Sequence, residues 1–166
     1  MTRPVDAVIA VTYRCNARCA MCGIWRSAAP EAVPPEVYRG LPDSLRDVNL
    51  TGGEPFLRED LAEVHAAVRA ACPRAQTIVS TNGLLTDRIV AQVRRMREVE
   101  PGLGLAISID GPAEVHDRIR GIPETYSRAM RTLEALQADG VRNLRLAFTI
   151  TPENAEYFRA VYDLAH

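Results

Sequence analysis

The sequence predicts an α/β fold built on a parallel sheet of about five βα units. Short β-branched runs alternate with longer amphipathic stretches, a rhythm that implies right-handed βαβ units. Several of the short runs, such as LGLAISI and LRLAFTI, are nearly unbroken apolar segments, as expected of strands covered by helices on both faces. Polar or glycine-rich residues follow the strand ends four times, at Tyr13–Cys22, Gly52–Glu54, Thr81–Gly83 and Asp110–Gly111. The carboxyl ends of strands form the active face of βα barrels and open α/β sheets, so these four clusters are expected to converge on one site.

The elements follow in order. Ala7–Thr12 is the first predicted strand and leads into the cysteine-bearing loop. Asp47–Thr51 is the second, and Leu61, Val64 and Val68 mark the helix after it. Gln76–Ser80 is the third; Thr86 caps the next helix, with Asp87 in its first turn and Ile89, Val90, Val93 and Met96 on its apolar face. Gly104–Ile109 is the fourth. An apolar stripe of Tyr126, Ala129, Met130, Leu133 and Leu136 then stops before Gly140, a good helix terminator. Asn143–Ile150 is the fifth, and Thr151 and Pro152 read as cap and first residue of a last helix running toward His166.

A chain of 166 residues fits one domain and can bury a core. Its 47% hydrophobic and 25% charged residues are a globular balance rather than a disordered one. With 20 basic and 21 acidic residues interspersed, no basic stripe exists to release phosphate counterions, and no nucleic-acid partner is expected. The apolar run Ala7–Val11 is too short for a signal core, and no stretch approaches membrane-spanning length. A cytoplasmic location with no membrane partner is the expectation.

Three of the four cysteines fall within eight residues, as C-x-x-x-C-x-x-C at Cys15, Cys19 and Cys22. Such clustering suits a metal site in a reducing compartment better than a disulfide framework. Thiolates are the usual ligands of iron–sulfur clusters, and three of them, unlike four, leave a coordination position open. A structural zinc site would need a fourth ligand, for which His65 or Cys72 would have to fold back. Alone, Cys72 reads as a small buried hydrophobe. His116 and Asp117 are adjacent and do not face each other on a helix, so a capping or loop-fixing role is expected of them.

These features together resemble the radical S-adenosylmethionine (SAM) superfamily. The cysteine spacing after a first strand matches its signature, GGEP at Gly52–Pro55 its second motif, and STNG at Ser80–Gly83 and SIDG at Ser108–Gly111 fall at the next two strand ends. The run SIDGPAEVHDRIRG is similar to members that modify peptides or mature sulfatases. The resemblance implies a partial (β/α)6 TIM-like barrel with a [4Fe–4S] cluster on Cys15, Cys19 and Cys22 and SAM at its open iron. Reductive cleavage of SAM would give a 5′-deoxyadenosyl radical that abstracts hydrogen from a small-molecule or peptide substrate, with electrons from a donor such as flavodoxin or ferredoxin. It also implies that Gly52 and Gly53 let backbone approach the methionine amino group, that Glu54 and Pro55 hold that loop, and that Ser108 and Arg120 hold the methionine carboxylate. Ser80 and Asn82 become candidates for ribose or methionine contacts, Asp110 for ribose or for holding another residue, and backbone near Ile24 and Trp25 for the adenine pocket.

Two departures from the family qualify this. Met21 stands where many members have an aromatic beside the third cysteine. Only five of the six expected βα units are found, so residues 1–166 are expected to be a single core domain truncated at the C-terminus. A non-catalytic iron–sulfur or electron-transfer module, or a catalytically incomplete fragment, is the alternative reading.

Overall fold

The computed structural model describes residues 3–28 and 32–165. Five strands form one sheet in sequence order, every neighbouring pair parallel: β1 (Asp6–Thr12), β2 (Asp47–Gly52), β3 (Gln76–Thr81), β4 (Gly104–Ser108) and β5 (Leu144–Ala147). Helices α1 (Leu61–Ala71), α2 (Thr86–Val99), α3 (Ala113–Arg120), α4 (Thr125–Ala138) and α5 (Phe158–Leu164) accompany it. The architecture is the expected open, partial βα barrel with β1 and β5 at its edges. Leu50, Val79, Leu105 and Ile107 of the strands pack in one core with Leu61, Val64 and Val68 of α1, Ile89, Val93 and Met96 of α2, and Ala129 and Leu136 of α4. Each such fully buried Val, Leu, Ile or Met side chain stabilises the fold by roughly 1.5–3 kcal/mol. Among the described residues, no helix is long and apolar enough to cross a membrane.

The units are less uniform than the sequence suggests. Among the described residues, no α-helix lies between β1 and β2; a 3-10 helix over Pro35–Gly40, begun by prolines and bounded by Gly40, packs its buried Tyr38 toward α1 instead. Two helices, α3 and α4, follow β4, separated at Gly121, whose φ of 71° ends α3 in a left-handed cap.

Three boundary expectations are corrected. Thr86 is not a cap but the first helical residue of α2, and its hydroxyl meets Thr132 Oγ1 at 2.7 Å. Strand β5 stops at Ala147, well short of Ile150, because the Thr149 N–H donates to the Asp110 carboxylate at 3.0 Å instead of to a neighbouring strand. Thr151 and Pro152 do not open a helix. The Thr151 N–H and hydroxyl both donate to Asn154 Oδ1, closing a turn, and a 3-10 turn over Ala155–Tyr157 precedes α5. Asn154 is fully buried and also donates through Nδ2 to Asp110 O and Thr149 O. Asn154→Ala orphans these groups and is expected to cost about 2–3 kcal/mol in urea denaturation; a loss below a few tenths would show that the turn holds without it.

Candidate active site

The cysteine loop between β1 and the 3-10 helix at Ile24–Arg26 is held on two sides by backbone. On one, Gly53 N donates to Thr12 O and Glu54 N to Arg14 O, both at 2.8 Å. On the other, Arg18 N and Ala20 N donate to Arg120 O and Ile119 O at the end of α3, at 3.0 and 2.8 Å. A Cβ on Gly52 would lie 2.1 Å from Thr12 O, and one on Gly53 2.1 Å from Arg14 O. The chain's own backbone therefore already demands glycine at both positions, before any ligand approaches.

Glu54 is fully buried beneath this loop. Its Oε1 accepts from Phe56 N and the Thr81 hydroxyl, at 3.1 and 2.9 Å, and its Oε2 from Asn82 N at 2.8 Å. Burial pushes its carboxyl up to about 7, against the pull of those donors and of Arg120. Asn82 passes the linkage on: Nδ2 donates to Asn16 Oδ1 at 2.8 Å, while its Oδ1 accepts from Leu84 N. The second, third and first motifs are thus joined by one buried chain of hydrogen bonds. Asn16 was not singled out in the sequence, where nothing but its place beside Cys15 marks it.

Asp110 organises the opposite wall. Its backbone N donates to His116 Nδ1 at 3.0 Å, its Oδ1 accepts from Thr149 N, and its Oδ2 lies 2.6 Å from Arg120 Nη2. Burial, then the nearby Arg120 cation, lowers His116 to about 4, so it is neutral at ordinary pH. Asp117 has the expected loop-fixing role: it accepts from Glu124 N, Tyr126 N and the Thr125 hydroxyl at the start of α4. Burial opposes its ionisation, yet those bonds hold its carboxyl below the usual range. Arg120, 8% exposed, also reaches Cys19 Sγ with Nη1 at 3.7 Å, and its Nε has no partner among the described residues.

A cavity of about 270 Å³ sits where these walls meet. Of the predicted site residues, Cys15, Cys19, Cys22, Ile24, Gly52, Gly53, Ser80, Asn82, Ser108 and Arg120 line it. Glu54, Pro55 and Asp110 do not; they lie buried behind the wall, where their contacts hold the lining in place. The Ser80 hydroxyl donates to Asn49 Oδ1 at 2.9 Å, while Ser108 forms no side-chain hydrogen bond among the described residues. Trp25 lines the cavity and donates through Nε1 to Cys19 O at 3.3 Å. Thr149 lines it as well, unmarked in sequence except by its place near the end of the fifth strand.

Burial pushes the Cys15 and Cys19 thiols up, with Arg120 opposing this at Cys19. Among the described residues, no three His, Cys, Asp or Glu side chains gather as a single-ion site. The fourth zinc ligands do not arrive: His65 Nε2 pairs with Glu100 at 2.8 Å, and buried Cys72 donates to Pro42 O at 3.3 Å.

A family model described as the Radical SAM superfamily matches residues 9–165. The Fe-coproporphyrin III synthase of Methanosarcina barkeri is 33% identical over 162 residues, covering 93% of this chain and 39% of that protein. The AdoMet-dependent heme synthase of Oleidesulfovibrio alaskensis is 34% identical over 167 residues, covering 93% and 40%. Among solved structures, Streptococcus suis SuiB bound to S-adenosylmethionine has the same fold, with a TM-score of 0.78 at 18% identity over 98% of this chain and 38% of that one. The same protein bound to its precursor peptide SuiA gives 0.73 at 18% identity, over 98% and 36%. The chain spans about two fifths of the length of the curated relatives it matches.

Proposed function

The chain belongs to the radical SAM superfamily, and from that premise we propose that it binds a [4Fe–4S] cluster and S-adenosylmethionine in the cavity at the carboxyl ends of its strands. One observation carries the reading: three thiols of the signature spacing line the same cavity as a nearly buried arginine, whose Nε has no partner among the described residues. A buried guanidinium donor without a partner suits an anionic ligand group, and three thiols without a fourth suit a cluster with an open iron. The residues present fit both groups.

Cys15, Cys19 and Cys22 hold the cluster and give up their protons as it binds. Arg120 is fixed by its 2.6 Å ion pair with Asp110, and its guanidinium, with the Ser108 hydroxyl, would hold the methionine carboxylate. Asp110 acts as a positioning residue: its Oδ2 lies 2.6 Å from Arg120 Nη2 and its Oδ1 accepts from Thr149 N. Glycine backbone at Gly52 and Gly53 faces the methionine amino group, held from behind by Glu54 and Pro55. Ser80 and Asn82 flank the ribose, and the backbone at Ile24 the adenine. Trp25 and Met21 keep water from the cluster. When bound, the cluster would supply one-electron reduction of the SAM sulfonium, the chemistry that these residues position and shield.

The electron comes from a one-electron donor protein such as a flavodoxin or ferredoxin, and a cysteine triplet suited to a reducing compartment supports a cytoplasmic location. Residues 1–166 act as one domain around one sheet. A peptide substrate is supported by the SIDGPAEVHDRIRG run and by the SuiB fold. A tetrapyrrole is the second reading, favoured by the porphyrin-acting relatives at 33% and 34% identity.

Anaerobic reconstitution with iron and sulfide, followed by SAM and dithionite, is expected to yield 5′-deoxyadenosine by chromatography. Cys19→Ala is expected to lose both the visible cluster absorbance and the product, falling to background. A cluster without product would favour an electron-transfer module, and a full cluster in Cys19→Ala would refute the ligand assignment.

A further inference from the structure

One face of the sheet is left open. Leu50, Val79, Leu105 and Leu146 belong to the core beneath the helices, so the residues that alternate with them lie on the opposite face. Thr51, Ser80 and Ser108 are on that opposite face, and all three line the cavity of the three thiols. Around them the face is apolar and accessible: Val8 is 69% exposed, Ala10 is exposed, and Ile78 and Ala147 are half-buried. Arg145 stands on this face as the one basic residue in any of the five strands. Other exposed arginines without a carboxylate partner, such as Arg39, Arg131 and Arg142, sit on helices or loops. Arg145 pairs in register with Ala106, and Ala106 with Ser80, so two strand spacings, roughly 10 Å, separate it from a residue that lines the cavity. Its Nε donates to Asn143 Oδ1 at 3.3 Å, which leaves both terminal nitrogens without a protein partner among the described residues. The carboxylates of this face, Asp6 and Asp47, stand in register with each other at its far end, where the strands begin.

We infer that Arg145 holds a carboxylate of the substrate, and that this substrate is a small molecule with an apolar body and acidic arms, the chemistry of a tetrapyrrole. The inference rests on the radical SAM reading and deepens its second substrate reading. A guanidinium grips a carboxylate through two parallel N–H···O bonds. With Nε given to Asn143, the edge that carries Nη1 and Nη2 is the one left for that grip. A carboxylate held there sets the rest of the ligand over Ala106 and Ile78, where burial of apolar surface favours it, beside the cavity. A peptide suits this face less well. Its amide groups need partners when buried, and the polar side chains Asn49 and Ser80 are already bonded to each other at 2.9 Å. A charged residue in an edge strand also keeps foreign strands from pairing with it, a role that needs charge of either sign and no ligand.

Coproporphyrin III is the probe, titrated by its visible absorbance into the apo chain and into the chain reconstituted with iron, sulfide and SAM. The wild type is expected to bind it, and Arg145→Glu to bind it about tenfold or more weaker. Arg145→Lys keeps the charge but loses the planar fork, and is expected to fall between, at about threefold. Arg131→Gln, which removes an exposed arginine on α4, is expected to bind like the wild type. Glutamate keeps a charge on the edge strand, so equal affinity in wild type and Arg145→Glu is the result of a purely edge-protecting residue, and it would overturn the proposal. No binding by the wild type would do the same. The second arm uses a capped peptide of alternating alanine and glutamate. Binding of that peptide through Arg145, with none of coproporphyrin III, would also overturn the proposal by moving the carboxylate to a peptide. Absence of 5′-deoxyadenosine with dithionite would instead defeat the radical SAM activity, and the apo titration would still decide the role of Arg145.

Discussion

Gly53→Ala is expected to destabilise the protein by about 2–4 kcal/mol and to lower cluster loading well below that of the wild type. The added Cβ would stand 2.1 Å from Arg14 O, 2.6 Å from Arg14 C and 2.9 Å from Tyr13 O. All three are backbone atoms, so no rotamer change relieves the clash; the cysteine loop must move as a unit. That movement breaks the 2.8 Å bonds from Gly53 N to Thr12 O and from Glu54 N to Arg14 O, next to Cys15. Gly102→Ala is the matched control, because a Cβ there meets nothing within 4 Å. Urea denaturation of both apo variants and iron content after reconstitution give the comparison. If Gly53→Ala behaves like Gly102→Ala, the loop is not set by this contact.

Glu54→Gln is expected to remove the part of apo-protein stability that falls as pH rises between about pH 4.5 and 7. Burial raises the Glu54 carboxyl from 4.5 to about 7 in the folded chain. The folded state therefore binds this proton more tightly than the unfolded state does. Its contribution is full below about pH 4.5, declines as pH rises through about 7, and amounts to roughly 3 kcal/mol across that window. Glutamine cannot titrate, so the opposite contribution of His116, held at about 4 in the folded chain, is uncovered and stability should rise with pH across the window. The variant also sets an amide NH2 against the N–H of either Asn82 or Phe56, a buried mismatch costing about 1–3 kcal/mol at every pH. Denaturation midpoints from pH 4.5 to 8 separate the two effects: an unchanged slope would mean that Glu54 stays ionised throughout. Loosening of Asn82 should also reach Asn16 and reduce cluster loading.

Much of the fold was legible because its signals are local. Strand starts at Asp47, Gln76 and Gly104 agree with the sequence reading, since β-branched apolar runs carry their own preference. Boundaries failed where a distant side chain overrode that preference. Asp110 takes the Thr149 N–H and ends β5, and Asn154 turns the Thr151–Pro152 segment that otherwise looks like a helix start. At the site, the motif residues were legible, with Glu54 expected behind the glycine loop, but Asp110 was left between a ribose contact and a holding role. Ser108 and Arg120 line the cavity, whereas Asp110 and Glu54 stand behind it.

What the sequence by itself determined is therefore the alternation of strands and helices, the face on which chemistry gathers, and a cysteine triplet with an open position. Each depends on spacings of a few residues, where periodicity and turn chemistry act directly. Tertiary structure alone decided the partners: Asn82 with Asn16, 66 residues apart; Asn154 with Asp110, 44 apart; Arg120 with Cys19, 101 apart. Which polar group satisfies which is set by strand register and burial, because a buried donor must take whatever acceptor the packed fold brings within reach.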